Sequence, residues 1–142
     1  MIAEKKILVD APMHKVWDVL VKPRHIRKWD QLPRGFGNKA LDFETVIRWP
    51  QNDDQFRELT VTAIEPPAYL RLALFDSTWN DLPEEPVTYT FRLEQAGAKT
   101  RLILSIGDLG ALEDGESELK KANEFVKRTL PLIKEVAEAN AR

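Results

Sequence analysis

The stretch ILVDAPMHKVWDVLVKPRHIRKW (residues 7–29) changes its structural instruction three times. With the three residues before it, EKKILVD reads as a strand leading to Pro12. Proline suits the first turn of a helix, because the N–H it lacks would have no partner there. Met13, Val16, Trp17 and Leu20 recur at helical spacing and give that helix one apolar face. Lys22-Pro23 ends it, since a residue before proline is pushed out of the α region, and Pro23 opens a second short helix carrying Ile26 and Trp29. QLPRGFGN (31–38) follows as a turn-rich loop.

From Leu41 the period changes to two. Leu41, Phe43, Thr45, Ile47 and Trp49 alternate with Asp42, Glu44 and Arg48, the pattern of a strand with one buried face. QNDD turns the chain into a second strand, QFRELTVTAIE, and Pro66-Pro67 marks a corner before a third, YLRLALFD. STWNDLPEEP is a loop, and VTYTFRLE and TRLILSI, joined by QAGAK, form a hairpin. A long helix runs from about Ser117 to Ala141, with Leu119, Asn123, Val126, Leu130, Ile133 and Ala137 as its stripe and Phe125, Leu132 and Val136 widening it. The order predicts an α+β domain over residues 1–142. A sheet with one apolar face must be covered, and only the final helix is long enough to do so. At about 1.5 Å per residue it spans roughly 35 Å. A bent sheet around one helix leaves room for a cavity between them, closed at one end by the short helices.

Bulk properties remove several function classes. A formal charge of −2 and a pI near 5.8 are not those of a general nucleic-acid binder. The sequence contains no cysteine, so disulfides, thiolate nucleophiles and cysteine metal sites are excluded. No apolar run approaches the roughly 20 residues of a membrane span, and MIAEKKILVDAP lacks the apolar core of a signal peptide, so a cytoplasmic location is expected. No nucleophile elbow, phosphate-cradling glycine loop or paired-histidine zinc motif occurs, and no cofactor or catalytic residue is assigned. His14 and Asp18 share a helix face without a third ligand and read as a solvated pair; His25, among Lys22, Arg24, Arg27 and Lys28, is also expected at the surface.

Residues 7–29 resemble the opening of the START-like (SRPBCC) superfamily. They are most similar to the C-terminal domain of the activator of heat-shock chaperone ATPase family, with its strand, Ala-Pro, Val-Trp helix and Pro…Trp second helix. AIEPPAYLRL and VTYTFRLEQAGAKTRLILSI are similar to that branch's Pro-Pro corner and penultimate hairpin. The resemblance implies a helix-grip fold: a curved antiparallel sheet wrapped around the C-terminal helix. It also implies three kinds of function, namely binding of a small hydrophobic or aromatic molecule, adaptor work on a chaperone, and polyketide cyclase-like chemistry. Two departures stand out. No counterpart of the activators' N-terminal domain is present in this sequence, and Pro131 should kink the long helix by removing its bond to the Lys127 carbonyl.

Within such a cavity the candidate ligand contacts are Trp29 at the mouth and Phe43, Leu72, Leu74 and Phe91 on the walls. Five polar residues fall on faces that otherwise point inward: Arg57, Asp76, Thr45, Tyr89 and Asn123. A buried polar group needs a partner, water or ligand, and an apolar pocket with a few orienting polar groups supplies that need. Arg57 and Asp76 could instead pair with each other. Asp76 or Tyr89 beside an apolar ligand could shuttle protons. Trp17 is read as a core anchor and Trp79 as a candidate lid. The basic run 22–39, including Arg34 and Lys39, is the candidate docking face for a chaperone partner.

Overall fold

The structure is a computed structural model that describes all of residues 1–142. Strand β1 (Ala3–Val9) leads into helices α1 (Met13–Val21) and α2 (Pro23–Ile26). Strands β2 (Val46–Pro50), β3 (Phe56–Glu65), β4 (Tyr69–Asp76), β5 (Thr88–Ala96) and β6 (Lys99–Gly107) follow, and a short 3₁₀ turn at Leu109–Ala111 precedes helix α3 (Gly115–Ala141). The strands form one antiparallel, curved sheet in the order β1-β6-β5-β4-β3-β2. The α+β helix-grip architecture is therefore present.

The alternation read from the sequence sets the register. Tyr89, Phe91 and Leu93 on β5 stand opposite Ile106, Leu104 and Leu102 on β6, and the β6 residues meet Ala3, Lys5 and Ile7 of β1 on the other side. The β5–β6 turn holds only Gly97 and Ala98 between paired Ala96 and Lys99, and Gly97 takes φ +65°, which glycine adopts without a Cβ penalty. Thr100, fully buried, donates its hydroxyl to the Ala11 carbonyl at 2.8 Å and ties β6 to the β1–α1 turn. Trp17 is 7% exposed and belongs to the core, as an anchor should.

Four sequence expectations are corrected. The first strand after the loop begins at Val46, not Leu41. Asp42 accepts the Phe43 N–H through its carboxylate at 2.8 Å, and Thr45 accepts the Asp42 N–H through its hydroxyl at 3.0 Å. These local bonds outcompete the ladder, and Glu44 is thrown to φ +70°. On β3 a bulge between Val61 and Ala63 shifts the phase, so Ile64 rather than Ala63 follows Val61 on the inner face, opposite Leu70. On α3 the buried stripe is Ala122, Val126, Thr129, Leu130, Ile133 and Ala137, while Asn123 is exposed. Pro131, on the solvent side of the same helix, does not end it.

His25 is the fourth. It is only 6% exposed, so it belongs to the interior rather than the surface. Arg24 Nε approaches its Nε2 at 3.4 Å, which leaves the ring proton on Nδ1, a buried atom without an acceptor. Burial first, then the neighbouring Arg24 and Lys28 charges, hold its pKa below the ordinary 6.5. A base depressed in the folded state favours folding above about pH 6.5 and loses that contribution as the pH falls through the folded-state value. His25→Leu is therefore expected to flatten the fall in melting temperature between pH 7.5 and 5.5. An unchanged slope in thermal melts would exclude this origin.

Candidate functional site

Two tiers of side chain line an apolar cavity of about 290 Å³ that opens to solvent. The floor is the inner face of the sheet: Ile47 and Trp49 from β2, Leu59 from β3, Leu70, Leu72 and Leu74 from β4, and Phe91 from β5. These positions converge because alternate residues of neighbouring antiparallel strands point to one side. The roof is Leu20 and Ile26 from α1 and α2 with Trp29, Leu32 and Leu41 from the segment after them. Fourteen of the seventeen lining residues are hydrophobic, and Asp30, Gln31 and Arg57 are the polar exceptions. Helix α3 contributes only Phe125. The expected cavity between sheet and long helix is thus displaced toward the short helices, because the buried stripe of α3 packs beside β1 and α1 and fills that half of the sheet.

The indoles that face the cavity are fixed by hydrogen bonds at their far edges. Trp29 Nε1 donates to the Val19 carbonyl at 2.9 Å, and Trp49 Nε1 donates to the Gln31 carbonyl at 3.0 Å. Trp29 meets Phe91 edge-to-face with centroids 6.2 Å apart. Buried indoles need such partners, so these rings form rigid walls. Trp79 does not belong to this cavity; it stacks edge-on against Phe75, with centroids 6.1 Å apart, and borders a separate recess with Asp76 and Leu82.

At one end the cavity abuts a polar chamber of about 320 Å³, and the two share Arg57, Leu74, Tyr89 and Phe125. Glu118, Lys121, Glu124 and Arg128 of α3 line the polar side. Arg57 and Asp76 are cross-strand partners, with Arg57 Nε 3.9 Å from Asp76 Oδ2. The shorter ion pair runs from Arg57 Nη2 to Glu118 Oε2 at 3.1 Å. Asp76 also accepts the Thr78 N–H at 2.9 Å and hydroxyl at 2.6 Å, so it terminates β4 and shapes the next loop. Tyr89 and Phe125 meet edge-to-face at 5.9 Å, and Arg128 lies over the Phe125 ring, 5.8 Å from its centroid. Burial raises the Tyr89 phenol pKa above its ordinary value and keeps it neutral. Asp30 is raised as well, chiefly by burial, although the Gln31 N–H on its carboxylate opposes the shift.

Of the ten candidate contacts, Trp29, Arg57, Leu72, Leu74, Tyr89 and Phe91 line the cavity. Phe43 and Thr45 do not, because the turn at Asp42 carries them out of the sheet; Phe43 is 59% exposed. Asn123 lies on the outer side of α3, and Asp76 faces Arg57 and Thr78 from the next recess. Sequence reading missed Trp49, Leu59, Asp30, Phe125 and Glu118 as parts of the site. Trp49 and Leu59 were already in phase with inward residues. Asp30 and Glu118 had no such signal, since each sits beside the site only through tertiary packing. Asp18, paired on paper with His14, instead forms an i,i+4 bridge to Lys22 at 3.3 Å.

Among solved structures the chain is similar to the Aha1 dimer of Colwellia psychrerythraea, with 15% identity, TM-score 0.73, and 100% of this chain and 99% of that one covered. It is also similar to MLL2253 of Mesorhizobium loti, at 16% identity and TM-score 0.74 over 98% of both chains. A third likeness is DynU16, from the dynemicin biosynthetic locus, at 17% identity and TM-score 0.70 over 99% of this chain; it spans only 48% of that protein. These likenesses establish the fold. No curated protein matches the sequence. The family model described as Activator of Hsp90 ATPase homolog 1-like protein matches residues 10–138, from Asp10 just after β1 to near the end of α3. With both short helices, strands β2 to β6 and nearly all of the long helix inside that match, the chain belongs to the Activator of Hsp90 ATPase homolog 1-like family.

Proposed function

We propose that the protein binds a small hydrophobic or amphipathic molecule in the apolar cavity, as a cytoplasmic carrier or sensor. The observation that carries this reading is a cavity of about 290 Å³ whose walls are apolar in fourteen of seventeen positions, with Asp30, Gln31 and Arg57 as the polar exceptions. Ligand sites are commonly concave, mostly apolar and furnished with a few orienting polar groups. A purely structural core would close such a space, because each unfilled volume forfeits dispersion contacts. Native mass spectrometry of the purified protein is the test. A bound apolar compound, released on mild unfolding, is expected. Ligand-free protein that also fails to gain melting temperature from any member of a panel of apolar compounds would count against the reading.

A second reading is docking on a chaperone through residues 22–39, and the family name motivates it. Lys22 is engaged by Asp18, and Arg27 donates to Asn38 Oδ1 at 2.8 Å and to the Gly37 carbonyl. Arg24, Lys28, Arg34 and Lys39 are exposed and offer the charge that an acidic partner surface would meet. Stimulation of an Hsp90-type ATPase is then expected to fall at least tenfold in Lys28→Glu/Arg34→Glu/Lys39→Glu, and to weaken with salt. Equal stimulation by the variant would remove this surface from consideration.

A further inference from the structure

Resting on the cavity reading above, we infer that the occupant is an uncharged apolar molecule bearing a carbonyl oxygen, which accepts a hydrogen bond from the Tyr89 hydroxyl at the Arg57 end of the cavity. Tyr89 faces both chambers, and its hydroxyl makes no hydrogen bond to a protein group. Its phenol stays protonated, so it has a proton to donate. A hydrocarbon packed over it would strip its water and leave that donor unpaired, at a cost of about 1–3 kcal/mol.

An acidic ligand fits less well, for a reason of charge. Arg57 already faces Glu118 at 3.1 Å and Asp76 at 3.9 Å. Lys121 and Arg128 line the adjoining polar chamber, together with Glu118 and Glu124, and not the apolar one. Arg57, the one cation lining the apolar cavity, is thus matched by two carboxylates, and a further carboxylate in that cavity would be buried without a free counter-ion. The walls also disfavour negative charge, as the behaviour of Asp30 shows. A neutral carbonyl satisfies the donor and adds no charge. Phe125, edge-on to Tyr89 and capped by Arg128, bounds the site on the side of α3.

Three matched probes separate these possibilities: benzophenone, diphenylmethane, which lacks the oxygen, and 4-benzoylbenzoate, which adds a carboxylate. Titration calorimetry with the wild-type chain is expected to show benzophenone binding at least tenfold more tightly than either relative. Tyr89→Phe, which removes only the hydroxyl, should keep its melting temperature and erase the advantage over diphenylmethane. Near-ultraviolet irradiation of the benzophenone complex, followed by peptide mass spectrometry, should label Leu72, Leu74 or Phe91. Equal affinity for diphenylmethane, tightest binding of the acid, or an advantage that survives Tyr89→Phe would overturn the carbonyl inference while leaving the cavity reading intact. Failure of all three to bind, or labelling only outside the cavity, would overturn both.

Discussion

Arg57→Ala is expected to lower the unfolding free energy by about 3 kcal/mol, the largest single effect at this site. The arginine is the counter-ion of two carboxylates, Glu118 and Asp76, whose side chains are 20% and 11% exposed. Removing one partner of a buried pair costs about 3–5 kcal/mol, because the remaining charge has lost both water and counter-ion. Partial exposure of Arg57, at 26%, places the estimate at the lower end. The pair links β3 to the first turns of α3, elements distant in sequence, so the loss should appear as a lower denaturant midpoint with cooperative unfolding retained. Arg57→Met/Glu118→Met/Asp76→Leu should recover most of the loss, since apolar replacement of a whole buried ion cluster is often neutral or stabilising. A single variant within about 0.5 kcal/mol of wild type, the range of ordinary surface substitutions, would show that the cluster is not a structural tie.

Leu59→Trp carries the second large effect, on binding rather than on folding. Leu59 is half-buried on the cavity floor, opposite Leu74 across the β3–β4 ladder. An indole placed there occupies space already empty, so the fold is expected to tolerate it better than overpacking of a filled core, which costs about 1–3 kcal/mol. Any occupant loses that space, and affinity for benzophenone or for a copurified compound should fall at least tenfold, about 1.4 kcal/mol. Calorimetric titration of wild type and variant at matched melting temperature provides the measurement. Undiminished affinity would place the binding site elsewhere.

The Activator of Hsp90 ATPase homolog 1-like fold accommodates both readings of function without deciding between them, since function resides in sites rather than architecture. Here the two sites lie close together. Trp29 roofs the cavity, and exposed Lys28 beside it belongs to the basic face. The cavity variant Leu59→Trp leaves every cation of that face in place, and the charge-reversal variant leaves the cavity floor untouched, so the two proposed activities can be tested separately.

How much of this was legible beforehand follows from what each residue's environment depends on. Leucine or isoleucine at every second position of 70–74 and 102–106 and the Pro12 and Pro23 helix starts depend on local periodicity and local sterics, and they specified the strands, the helices and the resemblance to the family. Local competition was harder to read: Asp42 and Thr45 broke an alternating pattern by bonding to nearby backbone, and the bulge after Val61 reversed the phase of one strand. Asp30 entered the cavity wall, and Glu118 reached Arg57, only through packing of segments distant in the chain. His25 shows the limit most plainly. A histidine amid lysines and arginines reads as surface, yet it is 6% exposed, with Leu132, Val136 and Ala139 of α3 bordering the groove beside it. By itself the sequence determined which faces are apolar, and hence the fold. Which half of the sheet α3 covers, and therefore where the cavity lies and which charges meet at its end, was decided by tertiary packing, because side-chain volume and charge pairing are properties of neighbours in space rather than along the chain.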